Sequence, residues 1–476
     1  MKRLFYLRAA LLAALPLPGL AQTAAQSATQ SANPAPASLS GDWTGSLGSL
    51  TATFHLQDPP GGPRAATLDI PVQRAKAVPL TFVVRADSVY LTLPAAAGRF
   101  AGRRAPDGQH LAGEWQQAGQ TLPLTLSRGT AAAPKRPQTP QPPFPYVSQN
   151  VTFTNPKAGI TLAGTYTRPA GRGPFMAVAL LTGSGPEDRD ETLFGHQPFA
   201  VLADYLSRRG VAVLRFDDRG VGQSGGSLAG TTSADYATDA LAALAWLRAR
   251  PEIRKNRVGL VGHSEGGTAA ITAATQPRGG PDILVLLAAP GLPGDELIVQ
   301  QALALTKLQT SDAGLLATTE KLQRQVLAAV TQNPDNEQAR ARLLPLLNPG
   351  GATDAATLAR VKAQIGQLTS PGYRALLADR PAQTLPLVKC PVLALNGAKD
   401  VQVVAAPNLA AIRQGLVAGG NRRATVRELS GLNHLFQTAP TGSPAEYGQI
   451  EETFAPAALR LIGDWLTARG ELKIDN

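Results

Sequence analysis

The stretch Arg257-Val258-Gly259-Leu260-Val261-Gly262-His263-Ser264-Glu265-Gly266-Gly267 decides the fold. An apolar strand runs straight into Gly-His-Ser-Glu-Gly, and an Ala/Thr-rich segment competent to form a helix follows over 268–275. This is G-x-S-x-G in the strand–turn–helix context that gives the pattern meaning. Gly262 and Gly266 flank Ser264 because a Cβ at either place would obstruct the approach of strand to helix. The turn leads into a helix N-terminus, whose free N–H groups favour negative charge developing beside them. Ser264 is therefore a candidate nucleophile, with Gly262 and Gly266 forming its elbow.

Working outward, strands and helices alternate around this elbow. Strands are expected at 151–154, 160–166, 177–182, 211–216, 257–262 and 283–288, with helices over 199–209 and 233–250. Continuous apolar strands separated by helices predict a doubly wound, mostly parallel sheet covered on both faces. The alternation breaks over 295–385, a Leu/Ala/Gln-rich stretch with helical spacing at Leu303, Leu308, Leu315 and Leu316. It reads as a helical cap insertion of the kind that controls access to a site. The sheet resumes at Val392-Leu-Ala-Leu-Asn-Gly, followed by a helix over 406–417, a strand over 425–429 and a closing helix over 455–469. The two parts of this α/β core are thus 146–294 and 386–476.

The chain before residue 146 has a different texture. Residues 1–21 carry a charged start (Lys2, Arg3, Arg8), a short apolar core and a small-residue exit, which reads as a signal peptide and predicts a periplasmic or secreted protein. Residues 22–38 form a low-complexity leader expected to be disordered. Short strands separated by Pro/Gly turns over 39–130 predict a small antiparallel β-sandwich or barrel, with Trp43, Phe54, Phe82, Tyr90 and Trp115 as core. His55 and His110 show no obvious partners there. Residues 131–145, rich in Pro, read as an extended linker.

Composition narrows the function. The formal charge is +11, but no Lys/Arg run is long enough for a nucleic-acid arm. No apolar run reaches the length of a membrane span, so no transmembrane segment is expected in the mature chain. Cys390, the single cysteine, lies in an apolar run and reads as core. No metal-ligand cluster appears, and no cofactor is expected. Gly220-Val-Gly-Gln-Ser-Gly225 matches the dinucleotide pattern, but its glycines follow Asp217-Asp-Arg and no acidic strand end lies about 20 residues on. Asp218 and Arg219 read instead as an ion pair bracing the turn. The loop from Glu187 to Glu191 reads as a structural charged loop or as part of the site wall.

A serine hydroxyl needs a base. The chain has five histidines, and only His434 follows Ser264, in a loop just beyond a strand. In doubly wound hydrolases the order is serine, acid, histidine. Asp400 directly follows a strand and turn between the two, a placement that Asp282, Asp295 and Asp379 lack. Asp400 would orient His434 and stabilise its imidazolium. The oxyanion donors expected are the backbone N–H groups of Glu265, after the nucleophile, and Ser184, in the loop Leu180-Leu-Thr-Gly-Ser-Gly-Pro.

Taken together, Gly-His-Ser264-Glu-Gly, Asp400, His434 and the Gly183-Ser-Gly-Pro loop resemble the α/β-hydrolase superfamily over about 146–470. The runs 183–191, 214–224 and 396–402 resemble more narrowly the bacterial EstD-type carboxylesterases, whose secreted members often carry an extra N-terminal β domain. Many relatives have His where this chain has Thr182. The resemblance implies hydrolysis of small-molecule carboxylic esters, commonly with short acyl chains. A peptidase or thioesterase using the same triad is the alternative. From another class, the β domain would make the chain an envelope- or carbohydrate-binding protein.

Overall fold

The computed structural model describes residues 38–47, 50–70, 75–117, 120–129 and 135–471. The expected signal peptide, nearly all of the leader and the first residues of the linker lie outside the described residues. Two compact units result, one containing a barrel and the other a mixed sheet with its helices.

The first unit is a closed barrel of eight antiparallel strands: β1 (Gly41–Leu47), β2 (Leu50–Gln57), β3 (Ala65–Ile70), β4 (Ala75–Arg85), β5 (Ser88–Leu93), β6 (Gly98–Arg104), β7 (His110–Gln117) and β8 (Gln120–Arg128). Trp43↔Arg128 and Thr44↔Ser127 join β1 to β8 and close the ring. Strands β1, β3 and β6 were not legible in the sequence, β6 least of all because Gly-Arg-Phe-Ala-Gly-Arg-Arg lacks apolar alternation. The barrel explains its composition. A Cβ on Gly98 would strike the Trp115 ring and one on Gly102 the Phe100 ring, so glycine makes room for large aromatics on the neighbouring strand and on its own. Trp43, Phe54, Phe82, Phe100 and Trp115 are buried, so the interior is packed with side chains. Tyr90, expected in the core, lies half-buried under the Arg99 guanidinium, 5.5 Å from its ring centre. The barrel histidines have partners after all: His55 bridges Asp42 (2.6 Å) and Asp69 (3.2 Å), and His110 meets Asp107 (2.6 Å).

The second unit is built on an eight-stranded sheet. Its strands are β9 (Tyr146–Asn155), β10 (Ile160–Pro169), β11 (Phe175–Leu181), β12 (Val211–Phe216), β13 (Ile253–His263), β14 (Ile283–Leu287), β15 (Val392–Gly397) and β16 (Ala424–Leu429). The order β16-β15-β14-β13-β11-β12-β10-β9 is parallel except where β10 meets β9 and β12. Its inner strands are buried on both faces. Ala177, Ala179 and Leu181 face a core shared with α2 (Ser233–Arg248), α3 (Glu265–Ala274) and α10 (Ala405–Ala418). Met176, Val178 and Leu180 face the other core, with α1 (Pro198–Arg208) and α11 (Pro456–Glu471). The period-two exchange between cores is why these strands read as unbroken apolar runs.

Between β14 and β15 lie the helices α4 (Gly294–Lys307), α5 (Ala313–Thr331), α6 (Asn336–Leu347), α7 (Ala355–Leu368), α8 (Pro371–Ala378) and α9 (Pro381–Thr384). Asp312, Asp335 and Ser370 cap α5, α6 and α8 by accepting N–H bonds from the first turn. Of the leucines expected here at helical spacing, Leu303, Leu315 and Leu316 lie in helices and are half-buried. Leu308 falls in the break after α4 and is exposed, whereas Leu297, Val299, Val326 and Leu327 carry the packing. The Pro-rich segment also departs from a free spacer. Arg136 donates to the carbonyls of Phe194 (2.8 Å), Gly448 (2.7 Å) and Ile450 (3.0 Å), and Gln138 bonds to Phe454. Among the described residues no helix is long and apolar enough to cross a membrane.

Candidate active site

β13 ends at His263 and α3 begins at Glu265, earlier than the helix start at 268 expected from composition. Ser264 alone makes the corner, with φ 52° and ψ −121°, a region a non-glycine residue occupies only when its surroundings impose it. Its N–H bonds the Leu287 carbonyl (2.9 Å), and its carbonyl accepts from Gly267 (2.9 Å), so strand and helix pin it from both sides. A Cβ on Gly262 would collide with the Gly266 carbonyl, and one on Gly266 with the carbonyls of Leu181 and Thr182. Both glycines are demanded by close approach.

Asp400 and His434 come together beyond the carboxyl ends of β15 and β16. Asp400 Oδ2 lies 2.7 Å from His434 Nδ1, and both residues are buried. The other oxygen, Oδ1, accepts the N–H groups of Gln402 (2.8 Å) and Val403 (2.9 Å), which fixes the carboxylate's orientation. Asn433 holds the histidine loop by accepting from Leu435 (3.0 Å) and Gln437 (2.9 Å). An imidazole tied at Nδ1 presents Nε2 as its reactive nitrogen.

The loop after β11 carries the expected oxyanion donor. Thr182 Oγ1 donates to Asp218 Oδ1 (2.8 Å), so this threonine anchors the loop by its hydroxyl. Gly183 N–H donates to Glu191 Oε1 (2.7 Å) and is thereby committed, which leaves Ser184 as the next amide along the loop. Glu265 N–H is the first amide of α3 and by position has no acceptor within the helix. The Glu265 side chain is held by Ser233 Oγ (2.9 Å).

The reading of Asp218 and Arg219 as a mutual pair is corrected here. Asp218 accepts from Thr182 and from the Glu187 N–H (3.1 Å), whereas Arg219 pairs with Asp239 (2.8 Å). Burial pushes the Asp218 carboxyl up to about 8, the hydrogen bonds from Thr182 and Glu187 only partly opposing it. The 187–191 loop is tied down by ion pairs and buried at its end: Arg189 pairs with Asp217 (2.7 Å), Asp190 with Arg215, and Glu191 turns inward.

Sequence reasoning missed Glu191 and His263. Glu191 Oε1 meets His263 Nδ1 at 2.8 Å, and His263 Nε2 meets the His434 carbonyl at 3.0 Å. Burial pulls the His263 imidazolium down, but the Glu191 charge and hydrogen bond outweigh it, so the ring titrates above its ordinary value. Elimination by chain order set His263 aside as a base and left unasked what else a histidine beside the nucleophile could do. His196, to which no role was given, is buried between Thr453 Oγ1 (2.8 Å) and the Tyr447 carbonyl (2.9 Å). Burial, with Arg136 nearby, lowers it to about 4.

Residues 97–414, more than half of the chain, match the X-Pro dipeptidyl-peptidase (S15) family, a span that holds Ser264 and Asp400 and ends before His434. Esterase EstD of Thermotoga maritima is 36% identical over 147 residues, 31% of this chain and 35% of that protein. An uncharacterized Pseudomonas aeruginosa protein, PA2218, is 33% identical over 26% of this chain and 32% of its own length. The chain thus matches only about a third of the length of these curated relatives. The solved structure of Pyrococcus furiosus esterase Pf2001 covers 71% of this chain and 99% of its own, at 16% identity and a TM-score of 0.42. From the extent of the family match, the chain belongs to the X-Pro dipeptidyl-peptidase (S15) family and has an α/β-hydrolase fold.

Proposed function

We propose that the chain is a serine hydrolase that cleaves carboxylic esters of small molecules, with short acyl chains preferred. Ser264 attacks the ester carbonyl while His434 Nε2 takes its proton. Asp400 holds the ring and stabilises the imidazolium, and the N–H groups of Ser184 and Glu265 receive the oxyanion. His434 returns the proton to the leaving alcohol. Water then repeats the sequence on the acyl-enzyme, and the free acid leaves. The observation that carries this reading is the buried Asp400–His434 bond of 2.7 Å beyond the same sheet edge as a serine held at φ 52°. The partial likeness to esterase EstD supports the ester class.

The test is labelling with a fluorophosphonate and turnover of p-nitrophenyl acetate, wild type against Ser264→Ala. The variant is expected to lose labelling and on the order of 10⁶ in kcat. Equal labelling of both proteins would remove the central claim. The family match favours a second reading, a peptidase acting through the same triad. Turnover of an X-Pro p-nitroanilide at a kcat/KM above that of the ester would replace the first reading with the second.

Two further parts of the proposal rest on sequence alone. Export is supported by the charged, apolar and small-residue order of residues 1–21. A protein recovered with Met1 intact would refute cleavage. Contact of the barrel with envelope or polysaccharide material is supported by its being a second β unit that contributes none of the candidate-site residues. Failure of the full chain to be retained on cell-wall material would end that idea.

A further inference from the structure

Acyl transfer as described uses neither Glu191 nor His263, yet the two are buried against the nucleophile elbow. Glu191 Oε1 accepts the Gly183 N–H at 2.7 Å and lies 2.8 Å from His263 Nδ1. His263 Nε2 in turn lies 3.0 Å from the carbonyl of His434. Both partners of the ring are acceptors in their ordinary state, a carboxylate and a carbonyl, so a ring satisfying both donates from both nitrogens as an imidazolium. A buried charge of that kind persists only when paired, and Glu191 is its partner.

The convergence is tight. A Cβ added to Gly183 would lie 3.3 Å from Glu191 Oε1, 3.4 Å from Ser264 Cβ and 3.5 Å from His263 Nδ1. The oxyanion loop, the nucleophile and the pair therefore meet around one glycine. Glu191 itself has φ 52°, a conformation that costs a side-chain-bearing residue about 1 kcal/mol or more and is kept where surrounding contacts over-determine it. One carboxylate links the oxyanion loop, the end of β13 and the loop bearing His434.

We propose that Glu191 is a positioning residue of the candidate site, holding the oxyanion loop through Gly183 and the His434 loop through His263. This rests on the serine-hydrolase reading above. Its substrate-independent role predicts a change in kcat with little change in KM, because the interactions it sets are strongest in the transition state.

The experiment measures kcat and KM on p-nitrophenyl acetate for wild type, Glu191→Ala, Glu191→Asp and Glu191→Gln. Rates are counted per fluorophosphonate-titrated site, and thermal midpoints are taken alongside. Glu191→Ala and Glu191→Asp are expected to lose on the order of 10²-fold in kcat per site with KM within about threefold. Glu191→Gln, which keeps an acceptor oxygen for the Gly183 N–H but removes the charge that pairs the His263 imidazolium, is expected to recover only the part of that loss that comes from the oxyanion loop. If Glu191→Ala does not fold, the Asp and Gln pair decides. The proposal is overturned if Glu191→Asp keeps kcat per site within about twofold of wild type, or if Gln is as damaging as Asp. It is also overturned if the losses appear only in the fraction of titratable sites. An active wild type with normal Glu191 variants sinks this proposal alone, whereas a wild type that neither labels nor turns over sinks the reading beneath it and this with it.

Discussion

The barrel and the mixed sheet both bury an apolar core, but they treat charge in opposite ways. Among the described residues, every buried ionisable side chain belongs to the sheet unit, Glu191, Asp218, His263, Asp400 and His434 among them. The barrel keeps its charges at the surface, as in the half-exposed Asp42–His55–Asp69 bridge. Strained backbone occurs in both units but at different kinds of place. Left-handed side-chain-bearing residues in the barrel are Ala77, Ala86 and Ala97, in a strand irregularity and in turns. In the sheet unit they include Glu191, Ser264 and Phe436, around the candidate site. Burying charge and holding strained backbone both cost stability. The barrel avoids the first of those costs, and the sheet unit accepts both around its candidate site.

Each unit contains a histidine–aspartate bond of nearly equal length, and this makes the contrast testable. His434–Asp400 is 2.7 Å and buried, whereas His55–Asp42 is 2.6 Å with both side chains more than a third exposed. Asp400→Asn is expected to lower kcat by about 10⁴, with the fold intact, because the amide holds the imidazole in the wrong tautomer. Steady-state turnover per titrated site checks it, and a loss below about tenfold would separate Asp400 from the chemistry.

The next largest effect is structural. Trp43 is wholly buried in the barrel, with its indole N–H on the Leu39 carbonyl (2.8 Å) and the Arg128 guanidinium 4.6 Å from its ring centre. Trp43→Ala is expected to destabilise the barrel by about 3–5 kcal/mol. The residues of the candidate site all belong to the other unit, so kcat measured below the lowered transition is expected to stay near wild type. Denaturant unfolding followed with parallel activity assays separates the two.

The same contrast explains what was legible from sequence. The sheet could be read because its strands are buried on both faces and become continuous apolar runs, and the elbow because its glycines are set by backbone contact. Strand β6 could not be read, since Gly98 takes its meaning from Trp115 on β7, and with Gly102 making room for Phe100 in the same strand too few apolar residues remain to alternate. The candidate triad residues were reachable because chain order leaves one histidine after Ser264. Glu191 was not, because its importance comes from a turn that brings it onto Gly183 and His263, contacts that no local spacing encodes. One leucine of the insertion misled for a related reason: α4 ends at Lys307, so a spacing counted through the break lands on the exposed Leu308.

Charge burial also sets how stability responds to pH. Asp218 is raised by burial to about 8, against an unfolded value near 3.8. The folded state therefore binds the extra proton, and the contribution is full below about pH 4 and is lost as pH rises through 8. Asp218→Asn, the neutral mimic of the protonated carboxyl, is expected to leave the thermal midpoint at pH 5 near wild type and to flatten its decline between pH 5 and 8. A wild-type midpoint that rises steadily across that interval, with the same slope in the variant, would refute the assignment.

The smallest expected effect is the barrel counterpart. His55 is pulled down by partial burial and raised more strongly by Asp42 and Asp69, for a net upward direction. A histidine raised on folding stabilises fully below its unfolded value of about 6.5, and that stabilisation disappears as pH climbs through the folded value. Asp42→Asn removes the nearer carboxylate and leaves Asp69, so the His55 titration, read from its ring proton resonance, is expected to move down without reaching the behaviour of an isolated imidazole. The stability cost is expected to stay below about 1 kcal/mol, because both side chains face solvent and the pair is screened by salt. A cost of several kcal/mol would mean that the barrel bridge is as integral to its unit as Asp400–His434 is to the candidate site, and the division of charge between the two units would fail.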